Sequence, residues 1–169
     1  MIIVSFYHDI DGHTYYSDHA ERLAAQCDKL GITHIIRHYD CGSDWITVER
    51  AKATFICEML MELKQDFVWL DVDCDVFSAF EDFNIIGDWG FVWREDGVPC
   101  DYVHYIKYNE YNMNFLLNWV DEIKRCGKGS HTAFMNIYRQ LDYFTLPNGY
   151  FKLGLAETKS KTEYLRSQE

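Results

Sequence analysis

Short apolar runs alternate with longer amphipathic segments over the first part of the chain. Residues 2–7 are β-branched and aromatic, which is typical of a buried strand. Apolar positions then recur every three or four residues, with Ser17 as a suitable N-cap and Gly31 as a stop, so we expect a helix between them. A second apolar run at 33–36 predicts the next strand. The pattern thus predicts a complete β-α-β unit within the first forty residues.

The alternation of strands and helices continues towards the end of the chain. The further elements predicted are a helix at 51–63, strands at 67–70, 89–94 and 102–108, helices around 115–123 and 134–141, and a strand at 144–146. No repeat or low-complexity linker interrupts this order. We therefore expect one α/β domain over residues 1–155, followed by a polar tail at 156–169.

The charge of the chain narrows the classes of partner. It has 16 basic and 27 acidic residues, a formal net charge of −11. Such a surface repels phosphate backbones and anionic lipids at long range, so we expect neither nucleic acid nor membrane binding. The first residues carry no basic leader, and no apolar run is long enough to span a bilayer. These features predict a soluble, cytoplasmic protein.

The six cysteines are scattered along the chain, and no two of them form a C-x-x-C pair. This spacing does not indicate a zinc ribbon. Several of them fall within apolar stretches. We therefore expect reduced thiols that pack in the core.

Three acidic residues, Asp71, Asp73 and Asp75, directly follow the apolar run 67–70. In open α/β sheets the carboxyl ends of the strands line the ligand crevice, so these acids are expected at a site. Asp71 and Asp73 repel each other unless a divalent cation lies between them. Carboxylate oxygens suit Mg²⁺ or Mn²⁺, which keep open positions for water and phosphate oxygens. The pattern predicts such a metal site, while the competing interpretation is a solvated loop.

The string Lys52-Ala53-Thr54-Phe55-Ile56, followed by Asp66-Phe67-Val68-Trp69-Leu70-Asp71-Val72-Asp73, resembles nucleotide-sugar glycosyltransferases of the GT-A fold. In that family a lysine-bearing helix precedes a strand that ends in a metal-binding Asp-x-Asp motif. Residues 112–119, 131–136 and 143–147 resemble later motifs of the same family, in the same order. The resemblance runs from Ile2 to about Tyr150. It implies a GT-A-like (Rossmann-like) mixed sheet flanked by helices, and metal-dependent transfer of a sugar from a nucleoside diphosphate sugar to an unknown acceptor.

The resemblance also implies roles for the acids. Asp71 would contact the nucleotide ribose or the water shell of the metal, and Asp73 would bind the metal that bridges the diphosphate. Asp75 would be an alternative ligand, because Asp73-Cys74-Asp75 repeats the Asp-x-Asp pattern.

Four further residues would bind the donor by the same resemblance. Ser5, Phe6 and Tyr7 end the first strand and would lie against the nucleoside, since a base stacks on an aromatic face. Lys52 would neutralise phosphate or hold the nucleotide. For Phe6 and Lys52 the competing interpretations are plain core packing and a solvated helix lysine.

His131 stands where the family often has an aspartate. The resemblance implies that His131 lies at the mouth of the site, where it would position or deprotonate the acceptor or supply a further metal ligand. A neutral imidazole accepts a proton from a hydroxyl near neutral pH. An ordinary histidine at a helix start is the alternative.

Two other functions remain open on the residues alone. A metal-dependent nucleotidyltransferase also binds nucleoside phosphates through paired acids. A non-catalytic relative of the fold would bind a nucleotide or use the tyrosine-rich segment 102–111 as a partner surface. Turnover of sugar nucleotides, turnover of nucleoside triphosphates, or neither, separates the three.

Overall fold

A computed structural model describes residues 1–10, 12–80, 84–147 and 150–153. The elements in these ranges are β1 (Ile2–Tyr7), α1 (Tyr15–Lys29), β2 (Thr33–His38), α2 (Trp45–Leu63), β3 (Phe67–Leu70), β4 (Cys74–Val76), β5 (Trp89–Trp93), β6 (Pro99–Ile106), α3 (Glu110–Cys126), α4 (Ser130–Ile137), β7 (Tyr143–Thr145) and β8 (Phe151–Leu153). The predicted order of strands and helices is confirmed, and β4 and β8 are additional to it. The predicted domain end at 155 and the tail 156–169 lie outside the described residues.

Six strands form one mixed sheet in the order β2-β1-β3-β6-β5-β7. β1 is parallel to β2 and β3, and β5 is parallel to β7, whereas β6 is antiparallel to both of its neighbours. β4 and β8 form a separate antiparallel pair. Because β6 runs against β3, the start of β6 lies at the same edge of the sheet as the end of β3.

Apolar side chains pack on both faces of the sheet. Phe67 and Trp69 of β3 join the cluster under α2, α3 and α4, whereas Val68 and Leu70 join the cluster under α1. All four side chains are almost fully buried. The uninterrupted apolar run therefore predicts β3 correctly, since successive residues of a strand point to opposite faces.

Two helices begin earlier than their sequence pattern predicts. α1 begins at Tyr15, so Ser17 lies inside the helix and is not its N-cap. The reason is Asp9 in the preceding loop, whose carboxylate accepts hydrogen bonds from the amides of Tyr16 at 2.9 Å and Ser17 at 3.1 Å. α2 begins at Trp45 because the Asp44 carboxylate accepts from the amide of Thr47 at 2.9 Å.

The pairing of β5 with β6 is interrupted by a bulge. Phe91 pairs with His104 and Trp93 with Pro99, so two steps along β5 match five steps along β6. β6 therefore accommodates three extra residues, and Asp101 lies among them. Bulges re-aim side chains and are frequent beside active sites.

The six cysteines all lie in described segments, and none of them forms a disulfide. Cys27, Cys57, Cys74 and Cys100 are buried, as expected for core thiols. Within the described ranges, no helix has the length and apolar character needed to cross a bilayer.

Candidate active site

A cleft opens where β1 and β3 end, the place at which an α/β sheet forms its ligand crevice. Tyr7 and His8 line it from the end of β1, and Asp71 and Asp73 line it after β3. The other lining residues are Phe6, Tyr16, Trp45, Val48, Glu49, Lys52, Trp69, Val72, Asp101 and His131. Residues from both halves of the sequence thus meet at one sheet edge.

Asp71 is held by two side-chain donors and by one backbone hydrogen bond at the end of β3. Its side chain accepts hydrogen bonds from Trp69 Nε1 at 3.0 Å and from Lys52 Nζ at 2.9 Å. Its amide donates to the carbonyl of Tyr102 at 2.8 Å, which fixes the backbone against β6. The carboxylate therefore has a defined orientation at the cleft wall.

Lys52 lies on the buried face of α2 and is only 7% exposed. Its ammonium contacts Asp71 Oδ1 at 2.8 Å and Asp101 Oδ2 at 3.2 Å, and it also donates to the carbonyl of Asp101 at 3.1 Å. Burial alone would lower the pKa of Lys52, but the charges of Asp101 and Asp71 outweigh it and raise the pKa above its usual value. The charge of Lys52 is thus compensated by the carboxylates of Asp71 and Asp101. Contact of Lys52 with a phosphate stays a prediction, and it would require these two carboxylates to move.

Asp73 lies in the turn between β3 and β4 and lines the same cleft as Asp71. It is 4% exposed. Arg22 of α1 donates to its backbone carbonyl at 3.3 Å, which anchors the turn to the helix. The structure therefore brings the two predicted ligands Asp71 and Asp73 together.

Asp101, in the bulge of β6, is a cleft residue that the sequence pattern does not reveal. It lies between Lys52 and His131, because Lys52 contacts Oδ2 and His131 Nδ1 lies 3.0 Å from Oδ1. Burial raises the pKa of Asp101, but Lys52 and His131 outweigh burial and hold it well below its usual range. In the sequence, Asp101 appears only as an acidic residue just before the aromatic-rich strand predicted at 102–108. Its position in the cleft follows from the antiparallel pairing of β6 with β3.

His131 lies in the first turn of α4, as the sequence predicts, and it lines the cleft. Its amide donates to Glu49 Oε1 of α2 at 3.3 Å, so α4 is tied to the helix that carries Lys52. Contact with the Asp101 carboxylate raises the pKa of His131 above its usual value, against the effect of burial. Asp71, Lys52, Asp101 and His131 thus form a continuous series of contacts, which we term the charge chain.

Aromatic rings form the wall of the cleft near β1 and α2. Phe6 is buried, and its ring packs against Phe55 at 5.1 Å and Trp69 at 5.7 Å between centroids. Tyr7 is half-buried and lines the cleft. Core packing therefore accounts for most of the Phe6 surface, whereas Tyr7 is less buried and its role as a nucleoside contact stays a prediction.

Two of the predicted site residues do not reach the cleft lining. Ser5 is fully buried in β1. Asp75 lies on β4, where its carboxylate accepts a hydrogen bond from Gln26 at 2.6 Å and lies 3.4 Å from Arg22 Nε. The pairing of β4 with β8 holds Asp75 on the α1 side. Asp75 and Ser5 therefore lie outside the cleft lining, and their predicted roles stay predictions.

The described segments contain no group of three or more His, Cys, Asp or Glu side chains placed to hold a metal ion. Asp71 and Asp73 are therefore a pair of carboxylates beside open cleft and not a closed metal cage. Mg²⁺ is commonly bound in this way, through one or two carboxylates with the remaining positions left to water and substrate phosphates.

Comparison with known proteins identifies the fold. No protein-family model and no curated protein matches the sequence. A glycosyltransferase involved in the glycosylation of the major capsid of PBCV-1 is 11% identical, with a TM-score of 0.63 over 85% of this chain and 79% of its own. The apo-form glycosyltransferase GlyE of Streptococcus pneumoniae TIGR4 is 10% identical, with a TM-score of 0.63 over 98% of this chain and 49% of its own, so this chain spans about half the length of GlyE.

At such low identities the likeness concerns the fold alone. The mixed sheet, the flanking helices and the coverage of most of this chain agree with the resemblance found in the sequence. The chain therefore has the GT-A-like α/β fold of these glycosyltransferases.

Proposed function

We propose that this chain is a metal-dependent glycosyltransferase that transfers a sugar from a nucleoside diphosphate sugar to an acceptor. One observation carries the proposal: Asp71 and Asp73 line one cleft at the carboxyl end of β3 in a GT-A-like fold. A pair of acids at this place suits the binding of a cation and of the diphosphate that the cation neutralises.

The residues of the cleft fit Mg²⁺ or Mn²⁺. Asp71 and Asp73 supply hard oxygen ligands, while Trp69 and Lys52 already orient the Asp71 carboxylate. Asp73 would hold the cation and Asp71 would complete its protein ligands. When bound, the cation supplies positive charge to the diphosphate as it leaves the sugar.

The other cleft residues would bind the organic part of the donor. Tyr7 would provide a stacking face for the base. Tyr16 and Trp45, whose rings lie parallel within 12° at 6.1 Å, would extend the apolar wall beside it. Lys52 would act mainly through Asp71, since both of its acidic partners lie within 3.2 Å.

The test is a panel of nucleoside diphosphate sugars incubated with the chain and Mn²⁺ or Mg²⁺, with released nucleoside diphosphate as the readout. This assay needs no acceptor, because water replaces it. We expect turnover of at least one donor, loss of turnover after chelation of the metal, and loss of turnover in Asp73→Asn. Asp75→Asn is the matched control, because Asp75 lies outside the cleft lining.

The outcomes separate the proposal from its alternatives. Release of pyrophosphate from nucleoside triphosphates, without turnover of any sugar donor, would indicate nucleotidyl transfer. A rise in melting temperature with Mn²⁺ and a nucleotide but no turnover would indicate a binding protein, since a ligand of the native state raises its stability. Equal turnover in Asp73→Asn and the parent would contradict the metal-site assignment.

A further inference from the structure

A cluster of aromatic rings lies at the edge of the sheet that β7 forms. The ring centroids of Trp93, Tyr138 and Tyr143 are 6.0–6.3 Å apart, and Phe91 packs against Tyr143 at 4.8 Å. Phe91 is fully buried and Tyr138 is nearly so, whereas Tyr143 is 38% exposed and Trp93 is half-buried. The buried rings therefore anchor the cluster, and the other two present ring surface to the outside.

Hydrogen-bonding groups lie around these rings. Thr145 Oγ1 accepts a hydrogen bond from Trp93 Nε1 at 3.1 Å, which fixes the indole in one orientation. The guanidinium of Arg139 lies 5.8 Å from the centre of the Tyr138 ring, and its Nε donates to Tyr138 Oη at 3.4 Å. In the segments that the structure describes, no carboxylate pairs with Arg139, although the chain has a net charge of −11. The aromatic edge, by which we mean Trp93, Tyr143, Arg139 and Thr145, thus combines apolar ring faces with polar groups and a positive charge.

The aromatic edge lies beside the cleft but outside its lining. β5 runs parallel to β3, because both are antiparallel to β6, so the end of β5 lies at the cleft edge of the sheet. Trp93 pairs there with Pro99, two residues before Asp101. Tyr138, in the turn that continues α4, follows His131 by about two helical turns and on the same side. A ligand that reaches from the cleft to the aromatic edge is therefore longer than one sugar ring.

Sugar rings match this combination of groups. The C–H bonds on one face of a pyranose carry a partial positive charge, which the negative face of an aromatic ring attracts. The hydroxyl groups project around the rim of the sugar, where Arg139 donates and Thr145 donates or accepts. The rings are already held by their neighbours, so binding orders few side chains. A protein partner would instead need about 800 Å² on each side for a stable interface, which these few side chains do not supply.

We propose that the aromatic edge binds sugar residues of an oligosaccharide, at a site separate from the donor site. One sugar stacks on Tyr143 and Trp93, and Arg139 bonds hydroxyl or carboxylate oxygens of the same oligosaccharide. The remainder of the oligosaccharide extends into the cleft. That this oligosaccharide is the acceptor rests on the glycosyltransferase function proposed above. The acceptor class is then an oligosaccharide and not a single sugar.

The first experiment measures binding and needs neither donor nor turnover. Linear hexasaccharides of glucose, mannose, xylose, N-acetylglucosamine and galacturonic acid are titrated into the protein, and nitrogen-15 NMR follows the indole signal of Trp93, assigned by its absence in Trp93→Phe. We expect at least one probe to shift this signal. Its affinity should fall by about 2- to 12-fold in Tyr143→Thr, the range of one aromatic contact. If no probe shifts the Trp93 signal, the proposal is wrong.

Matched variants separate recognition from folding. Tyr108→Thr removes a tyrosine of similar exposure beyond the opposite end of β6, and it should bind the probe as the parent does. Tyr143→Phe keeps the ring and should restore most of the affinity. Arg139 is exposed, so Arg139→Gln keeps the proposal testable if Tyr143→Thr does not fold; it should weaken binding by about 2- to 12-fold, unlike Arg37→Gln at the β2 edge. Equal affinities in the edge variants and their controls would overturn the proposal.

A second copy of the chain is the alternative occupant, since β7 pairs with β5 alone among the described strands. Sedimentation velocity without sugar tests this. We expect a sedimentation coefficient that does not depend on protein concentration. A dimer that dissociates in Tyr143→Thr would assign the aromatic edge to self-association and exclude the oligosaccharide.

A kinetic experiment tests the role as acceptor. Transfer from the donor that the panel identifies to the hexasaccharide that binds is measured in the parent and in Tyr143→Thr. We expect the KM for the hexasaccharide to rise by about 2- to 12-fold with little change in kcat, because the contact is made equally before and during the reaction. No transfer to that hexasaccharide, or an equal KM in both proteins, contradicts the acceptor role. If the parent turns over no donor, the proposed function fails, whereas the binding result stands on its own.

Discussion

Replacement of Lys52 by methionine removes the cation that Asp71 and Asp101 share. Methionine keeps a similar side-chain length and apolar stem, so the main change is loss of charge. Lys52 is 7% exposed, and the side chains of the two acids are 20% and 15% exposed. Removing one partner of a buried ion pair leaves an uncompensated buried charge and costs about 3–5 kcal/mol. We therefore expect the free energy of unfolding at pH 7 to fall by about that amount.

The effect of pH on this loss has a defined sign. Burial raises the pKa of Asp101, but Lys52 more than offsets burial, so the folded-state pKa lies below the unfolded one. Asp101 therefore stabilises the parent above its unfolded pKa of about 4, and this contribution is lost as the pH falls below it. Without Lys52, burial favours the neutral acid, and the ionised acid destabilises the variant near neutral pH. The difference between parent and variant should thus be largest near pH 7 and smaller near pH 4.

Urea unfolding at pH 7 and at pH 4, analysed by linear extrapolation with equal m values, measures this difference. Arg37→Met is the matched control. It removes a cation from an exposed ion pair in which Arg37 Nη2 lies 2.6 Å from Glu62 Oε1, so its loss of stability should be much smaller. A loss in Lys52→Met no greater than that in the control, or a loss that grows on acidification, would refute the reasoning.

Four other predictions follow from the site and the core. Asp73→Asn should remain folded but lose the rise in melting temperature that Mn²⁺ and a donor give the parent; thermal denaturation checks this, and a retained rise contradicts it. Tyr7→Ala should weaken donor binding by about 2- to 12-fold in titration calorimetry, because an aromatic stacking face is worth about 0.5–1.5 kcal/mol. Gly90→Ala should lower the free energy of unfolding by about 1–3 kcal/mol, since the new Cβ would lie 2.5 Å from Leu146 Cδ2; an unchanged urea midpoint would show that the core adapts. His131 has a raised pKa in the folded state, so its stabilising effect is complete below pH of about 6.5 and is lost as the pH rises through the folded pKa; the stability gap between the parent and His131→Gln should therefore narrow between pH 6 and pH 8 in urea unfolding.

The sequence predicts β3 and its acids well because their signal is local. A short run of four apolar residues bounded by polar ones is typical of a strand covered on both faces, and acids that directly follow such a strand lie at its carboxyl end. The order of the remaining elements, together with the motif at Lys52 and Asp71, was sufficient to predict the GT-A-like fold. None of this depends on contacts between residues far apart in the chain.

The position of Asp101 in the cleft could not be predicted in the same way. Asp71 and Asp73 were predicted because they follow the carboxyl end of a strand, whereas Asp101 does not. It lies among the first residues of strand β6. This end of β6 reaches the cleft because β6 runs antiparallel to β3. Its direction then depends on the bulge opposite Phe91 and Trp93. Neither the strand direction nor the bulge has a local signature in the sequence.

Asp75 shows the reverse case, in which a local pattern predicts a residue that the tertiary structure places elsewhere. Asp71-Val72-Asp73 and Asp73-Cys74-Asp75 have the same spacing, and nothing in the sequence separates them. The pairing of β4 with the distant strand β8, and the contacts of Asp75 with Gln26 and Arg22, decide the difference.

The charge chain also has a consequence for the order in which the domain assembles. Lys52 and Asp71 are 19 residues apart and belong to the contiguous β1–β3 half, whereas Lys52 and Asp101 are 49 residues apart. Closing the longer loop costs more chain entropy, so the first pair forms before the second in any folding route that begins with local contacts. Lys52 therefore enters the core with one counter-ion already in place, and the arrival of β6 completes its neutralisation. β6 lies between β3 and β5 in the sheet, so the side of the cleft that carries Asp101 forms only when this long-range strand pairing is made.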